Sequence, residues 1–215
     1  MAPADTKQTI LDAAEELLAE QGYAATSLRQ LTARAGVNLA AVHYHFGGKE
    51  ALAKAVLARR IAPINAERLR RLAALPAGNR DTAAIVRAFV EPPLRAGAGG
   101  GASPGARLCR VFGRVMVEQP PFLRAFLARQ FRGVARRFEA ALADALPGLD
   151  RAATWWRLHF VIGAMAHTLQ NSEALSHLTG GACDAGDVDA LIEHLVAFAT
   201  GGLRAPTARR RRRPA

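Results

Sequence analysis

Apolar side chains recur at helical spacing along most of the chain. Ile10, Leu11, Ala14, Leu17 and Leu18 form one face of a segment that Asp5 or Thr6 can cap and Gly22 ends, with residues 1–6 read as a loose arm. Leu28 and Leu31, with Ala35 a turn further, predict a short helix, capped by Thr26 or Ser27 and ended by a left-handed Gly36. Val37 fills the corner. Asn38 caps a second short helix from about Leu39 to His45, Phe46 closes it inward, and Gly47-Gly48 stop it. A long helix follows from Lys49 to about Leu75, with a kink or break expected at Pro63. Further helices are expected over Asp81–Val90, stopped by Pro92-Pro93, and over Arg107–Glu118, after a glycine-rich connector at Ala96–Gly105. Another follows Pro120-Pro121 and runs to about Leu146, with the stripe Leu123, Leu127, Phe131, Val134, Phe138 and Leu142. Asp150 opens one to about Leu175. Asp187 opens the last, to about Thr200, ended by Gly201-Gly202. Strand formers are sparse, so the expected fold is all-α, with about nine helices.

The pair of short helices around Gly36 reads as a helix-turn-helix, whose second helix lies in the DNA major groove. The side chains there suit that role. Ala40 and Ala41 are small enough for the backbone to approach base edges, beside Leu39, and Asn38 can bond bases or phosphates. His43, Tyr44 and His45 are donors for phosphate oxygens or bases, and Lys49 lies at the start of the next helix, where N–H groups and a cation favour phosphate. Thr26 and Ser27 complete the candidate DNA-binding set.

Charge changes this picture less than its size suggests. The formal net charge is +11, but much of the excess is Arg204 and Arg209–Arg213 near the C-terminus. Up to residue 50, Lys7, Arg29, Arg34 and Lys49 are offset by acids such as Asp5, Glu15, Glu16, Glu20 and Glu50. DNA binding therefore rests on the motif and not on bulk charge. No apolar run reaches the ~18–20 residues that span a bilayer, so no membrane partner is expected. Cys109 and Cys183 lack metal-type spacing and read as inert thiols in a reducing cytoplasm. His159 and His167 have no zinc-type carboxylate between them, His43 and His45 point to different helix faces, and Ser103 and Ser176 sit in no nucleophile elbow. An enzyme, a metal or a cofactor is not expected.

The matching residues Ile10-Leu11-Asp12-Ala13-Ala14, Leu17-Leu18, Gly22-Tyr23, Thr26, Leu31, Ala35-Gly36-Val37, Tyr44-His45-Phe46 and Lys49-Glu50 carry a resemblance. Residues 7–55 resemble the N-terminal domain of the TetR family of one-component transcription regulators. One departure is His43, where many members carry Tyr. The stretch from Gly36 to Gly47 is similar to regulators that sense long-chain fatty acids or their acyl-CoA esters. The resemblance implies a DNA-binding domain over 1–50 and a ligand-binding and dimerisation domain over 51–203; the arginine run marks a basic tail over 204–215, expected to be disordered. It implies a homodimer on a double-stranded DNA operator, paired through the last two helices. Phe160, Gly163, Ala164, His167, Leu191 and Leu195 are the candidate interface residues. For a small apolar effector, the candidate lining is Phe112, Met116, Phe122, Phe126 and Phe131, with His159 and Gln170 at its polar end. The expected function is a ligand-responsive repressor. Two alternatives stay open: a constitutive DNA-binding protein without a ligand, and a polybasic nucleic-acid or membrane-surface binder driven by the arginine tail.

Overall fold

The computed structural model describes residues 3–76, 81–98, 104–184 and 186–206. Among these residues all regular structure is helical: α1 Pro3–Ala25, α2 Leu28–Ala35, α3 Leu39–Phe46, α4 Lys49–Ala73, α5 Thr82–Gly97, α6 Pro104–Glu118, α7 Leu123–Ala145, α8 Arg151–Leu178 and α9 Val188–Arg204. None of these helices is long and apolar enough to cross a membrane.

The chain forms two compact units. The first holds Met1–Glu67 with Arg95–Gly133; the second holds Arg68–Leu94 with the chain from Val134 onward. The division falls within α4, α5 and α7. In the first unit, Ile10, Leu17 and Leu18 of α1 pack with Leu31, Val42, Leu52, Val56 and Leu57, and the same core takes in Val111, Val115, Phe122 and Phe126 from α6, α7 and the turn between them. α1 is the hub, touching α2, α3 and most extensively α6. Glu15, 1% exposed, is held between Arg59 and Arg60 of α4, with Arg60 Nη2 2.8 Å from its carboxylate. Gly105 lets α6 start against the end of α5, because a Cβ there would lie 1.5 Å from the Ala96 carbonyl oxygen.

The second unit is built on Ile85, Phe89, Phe138, Leu142, Leu158, Met165, Ile192 and Leu203. Phe89 and Phe138 meet edge to face at 4.9 Å. Arg68 is buried among them; its Nε donates to the Phe89 carbonyl at 2.8 Å and its guanidinium lies 4.2 Å from the Phe89 ring. Burial pushes its pKa down to about 10. α8 packs against α9, and Arg157 closes the end of α9 by donating to the Leu203 carbonyl at 2.6 Å.

Several expected helix ends give way to packing. α1 begins at Pro3, so residues 3–6 are helical and not a loose arm; proline is tolerated in a first turn, where its missing N–H has no partner to lose. α4 runs unbroken through Pro63, which is solvent-exposed, so a freed carbonyl can bond water. α5 continues through Pro92-Pro93 to Gly97, because Val90, Glu91, both prolines and Leu94 are buried and their contacts offset the lost backbone bonds. α9 passes through Gly201-Gly202 because Leu203, 2% exposed, anchors the final turn. At the start of the expected basic tail, Arg204 is helical and pairs with Asp81 at 2.7 Å, while 207–215 lie outside the described residues, as do 99–103 of the glycine-rich connector. Cys183 is exposed and Cys109 half-buried.

Candidate nucleic-acid interface

Local hydrogen bonding builds the helix-turn-helix. Ser27, and not Thr26, caps α2: its Oγ accepts the Gln30 N–H at 3.2 Å, while Gln30 Oε1 accepts the Ser27 N–H at 2.8 Å. Gly36 ends α2 at φ 63°, a left-handed conformation that costs a glycine little, and the Val37 N–H donates to the Thr32 carbonyl. Asn38 caps α3, its Oδ1 accepting the Ala41 N–H at 2.8 Å. That bond leaves the side-chain NH₂ of Asn38 available to an acceptor outside the chain. Gly47, at φ 79°, closes α3 through its N–H to the His43 carbonyl.

Two faces of α3 then separate. Val42 is fully buried, with Ala41 and Phe46 half-buried against the same core. Asn38, Leu39, Ala40, His43 and Tyr44 face solvent, Tyr44 at 85% exposure. His45 is half-buried, edge-on to Tyr44 at 5.0 Å. Thr26 is the exception among the candidates: it is buried, and its hydroxyl donates to the Gly22 carbonyl at 2.6 Å, so it braces the corner before α2.

The electrostatics explain how a near-neutral head presents a face suited to phosphates. α3 carries no carboxylate. Acids of α1 and α4 are taken up inside the unit: Glu16 and Glu20 by Arg34 at 3.4 and 3.2 Å, Asp12 and Glu15 by Arg59 and Arg60, and Glu50 by Lys54. The Arg34 guanidinium holds the Glu20 carboxyl below its ordinary pKa. Lys49 is half-buried and fixed: its Nζ donates to the Ala24 carbonyl at 3.3 Å and lies 4.4 Å from the Tyr23 ring. Burial lowers its pKa, and the Glu118 carboxylate opposes that shift. Sequence reasoning missed Arg29, which is exposed in the first turn of α2 with no ion-pair partner among the described residues. The available signal was a basic residue just after the Ser27 cap with no acid at helical spacing on α2.

The effector candidates divide between the units. Phe122 and Phe126 are buried in the first unit's core, Phe112 and Phe131 pack partly buried against it, and Met116 is 38% exposed. His159 and Gln170 belong to the second unit, on exposed positions of α8; the Gln170 amide donates to the Ala166 carbonyl. Of the interface candidates, Phe160, Gly163 and His167 are exposed on α8, while Ala164 and Leu191 are half-buried against their own core. Leu195 is 7% exposed, so its side chain serves that core and faces no partner. Two exposed aromatics were missed: Trp156, stacked on Phe160 at 6.0 Å, and Phe198 of α9, at 71% exposure. Phe198 lies off the buried stripe of α9, which is the signal that marks it.

Comparison with known proteins agrees with this architecture. Residues 10–56 match the family described as bacterial regulatory proteins, tetR family, and residues 87–202 match the tetracyclin repressor-like C-terminal domain. The HTH-type transcriptional regulator SrpR of Pseudomonas putida is 43% identical over 60 residues, 28% of either chain. The HTH-type transcriptional repressor Rv3405c of Mycobacterium tuberculosis is 54% identical over 48 residues, 22% of this chain and 26% of that one. The matches thus span only about a quarter of these relatives' own length. Among solved structures, the transcriptional regulator FadR of Bacillus subtilis in complex with stearoyl-CoA superposes at a TM-score of 0.70 and 16% identity, covering 91% of this chain and 98% of that one. The fatty acid degradation regulator FadR of Bacillus halodurans gives 0.66 at 17% identity, covering 94% and 97%. With the helix-turn-helix matched at one end and the C-terminal family domain spanning more than half of the chain, the protein belongs to the TetR family of bacterial transcriptional regulators.

Proposed function

We propose that the protein is a ligand-responsive repressor that acts in the cytoplasm, binds a palindromic operator as a homodimer, and is released by a small apolar effector of the fatty-acid or acyl-CoA class. The observation that carries the DNA-binding half is the outer face of α3, where Asn38, Leu39, Ala40, His43 and Tyr44 are exposed beside a buried Val42. Two such helices reach successive major grooves only if the protein is two-fold symmetric, about 34 Å or a small multiple apart. The exposed aromatic face of Trp156 and Phe160, with Phe198, supports pairing through α8 and α9, since an apolar surface of that kind is stabilised by burial.

Release requires an effector that prefers a DNA-incompetent state; equal affinity for both states shifts nothing. Support for a response comes from the packing of α6 on α1, because displacement of α6 strains the helix that organises the DNA-binding head. The effector class is supported by the stearoyl-CoA of the FadR neighbour. A coupling of ~1–3 kcal/mol changes DNA affinity roughly 5- to 150-fold. The constitutive alternative is favoured by one observation: Phe122 and Phe126 fill the head's own core. Selection of duplexes from random-sequence DNA, repeated with acyl-CoAs of increasing chain length, separates the two. The repressor reading expects a palindromic product whose affinity falls with a particular chain length. A selected duplex whose affinity no fatty acid or acyl-CoA alters leaves the constitutive protein.

A further inference from the structure

The last turns of α1, just before the helix-turn-helix, contain a break. Gly22 lies within α1 at φ 83° and ψ −178°, off the helical path. Just after it, the N–H groups of Tyr23 and Ala24 both donate to one oxygen of the Glu118 carboxylate, at 2.8 and 2.9 Å. Glu118 is the last residue of α6, 95 residues along the chain from Tyr23. Glycine is required at position 22 twice over. The backbone is left-handed there, and a Cβ would stand 1.9 Å from Glu118 Oε1.

The same corner is gripped from the other side. Lys49 Nζ donates to the Ala24 carbonyl and sits over the Tyr23 ring, which meets Phe122 edge to face with the ring centres 5.1 Å apart. Thr26 bonds back to the Gly22 carbonyl, and Ser27 caps α2 one residue later. Residues 22–27 are therefore suspended between the end of α6 and the start of α4. All these groups lie in the first unit.

We propose that Glu118 is a positioning residue for DNA binding: its carboxylate clasps the Tyr23 and Ala24 amides and so fixes the corner that sets the pose of Lys49 and the start of α2. Backbone N–H groups bound by a carboxylate are charge-assisted and directional, so the clasp resists rotation of the corner more than an apolar contact would. The role is specific to ordered binding. A carboxylate near Lys49 opposes phosphate attraction, so losing it does not weaken sequence-independent attachment; it loosens only the geometry that a specific duplex requires. The proposal rests on the DNA-binding half of the reading above and not on an effector.

The test uses the full chain without effector, the tightest duplex recovered by selection from random-sequence DNA, and a scrambled duplex of the same length. Glu118→Ala is expected to weaken the selected duplex about tenfold, the factor that ~1.4 kcal/mol produces. Glu118→Gln, which keeps one acceptor oxygen without the charge, is expected to fall between the variant and the native protein. Binding to the scrambled duplex should stay within twofold for both. Amide hydrogen exchange at Tyr23 and Ala24 should accelerate in Glu118→Ala. Unchanged affinity for the selected duplex in both variants overturns the proposal. An equal loss on both duplexes, accompanied by a collapse of the thermal transition, also overturns it, because Glu118 is then a general structural contact. Failure of the native protein to select any duplex defeats the DNA-binding reading itself, and the exchange rates then report the clasp on their own.

Discussion

Glu15 offers the sharpest test of how the DNA-binding head is held to α4. Its carboxylate is buried and accepts from Arg60 Nε at 3.1 Å to each oxygen, from Arg60 Nη2 at 2.8 Å, and from Arg59 Nη2. Burial would lower the Arg59 pKa, but its bonds to Glu15 and Asp12 outweigh that and hold it above its ordinary value. Glu15→Ala removes the anion and leaves two guanidiniums facing a void. Breaking a buried ion pair from one side costs roughly 3–5 kcal/mol, much of it the penalty of an unpaired charge. The guanidinium side chains are 22% and 30% exposed and Arg59 keeps Asp12, so water and that partner recover part of the loss. The expected cost is about 2–3 kcal/mol, toward or below the low end of that range. For a chain of this size it lowers the melting temperature by about 5–10 °C. Urea unfolding should show the midpoint falling at nearly constant slope. Glu15→Met/Arg60→Met should recover part of the loss, since it removes both ends of one pair. A Glu15→Ala loss below about 1 kcal/mol would show that the cluster is screened like a surface pair, and the reasoning from burial would be wrong.

Three further outcomes are expected. Tyr44→Phe and Lys49→Ala should weaken DNA binding without changing the selected sequence, with Lys49→Ala also reducing the salt slope by about one unit, whereas changes at Asn38 or Ala40 should shift base preference; a preference change from Lys49→Ala would contradict its phosphate role. If the proposed homodimer forms, the native protein should scatter light as a dimer at micromolar concentration and Phe160→Glu as a monomer, while Leu195→Ala should instead lower stability by about 2–5 kcal/mol, because it hollows the second unit's core. Phe126→Trp should cost about 1–3 kcal/mol and weaken ligand-free DNA binding, since Phe126 is packed in the same core as Ile10, Leu31 and Val42; unchanged affinity in gel-shift titration would mean that this core tolerates the larger ring.

What the amino-acid sequence determined by itself is what a few neighbouring residues can settle. The cap at Asn38, the left-handed stop at Gly36, the stop at Gly47 and the buried register of Leu31 and Ala35 were all legible, because each depends on bonds or faces within about one helical turn. The exposed set on α3 follows from the same register. Helix ends governed by distant packing were not legible. Pro92-Pro93 and Gly201-Gly202 look like stops in isolation, yet buried neighbours carry the helix through them. Nor does a stripe of aromatics say which core it enters: Phe122 and Phe126 joined the DNA-binding head, and Leu195 turned inward while Phe198 turned out. The contact between Glu118 and the amides after Gly22 lies furthest from the reach of sequence reasoning. Nothing local marks a glutamate at a helix end as the partner of a break 95 residues away; only the packing of α6 on α1 brings the carboxylate to the two N–H groups it satisfies.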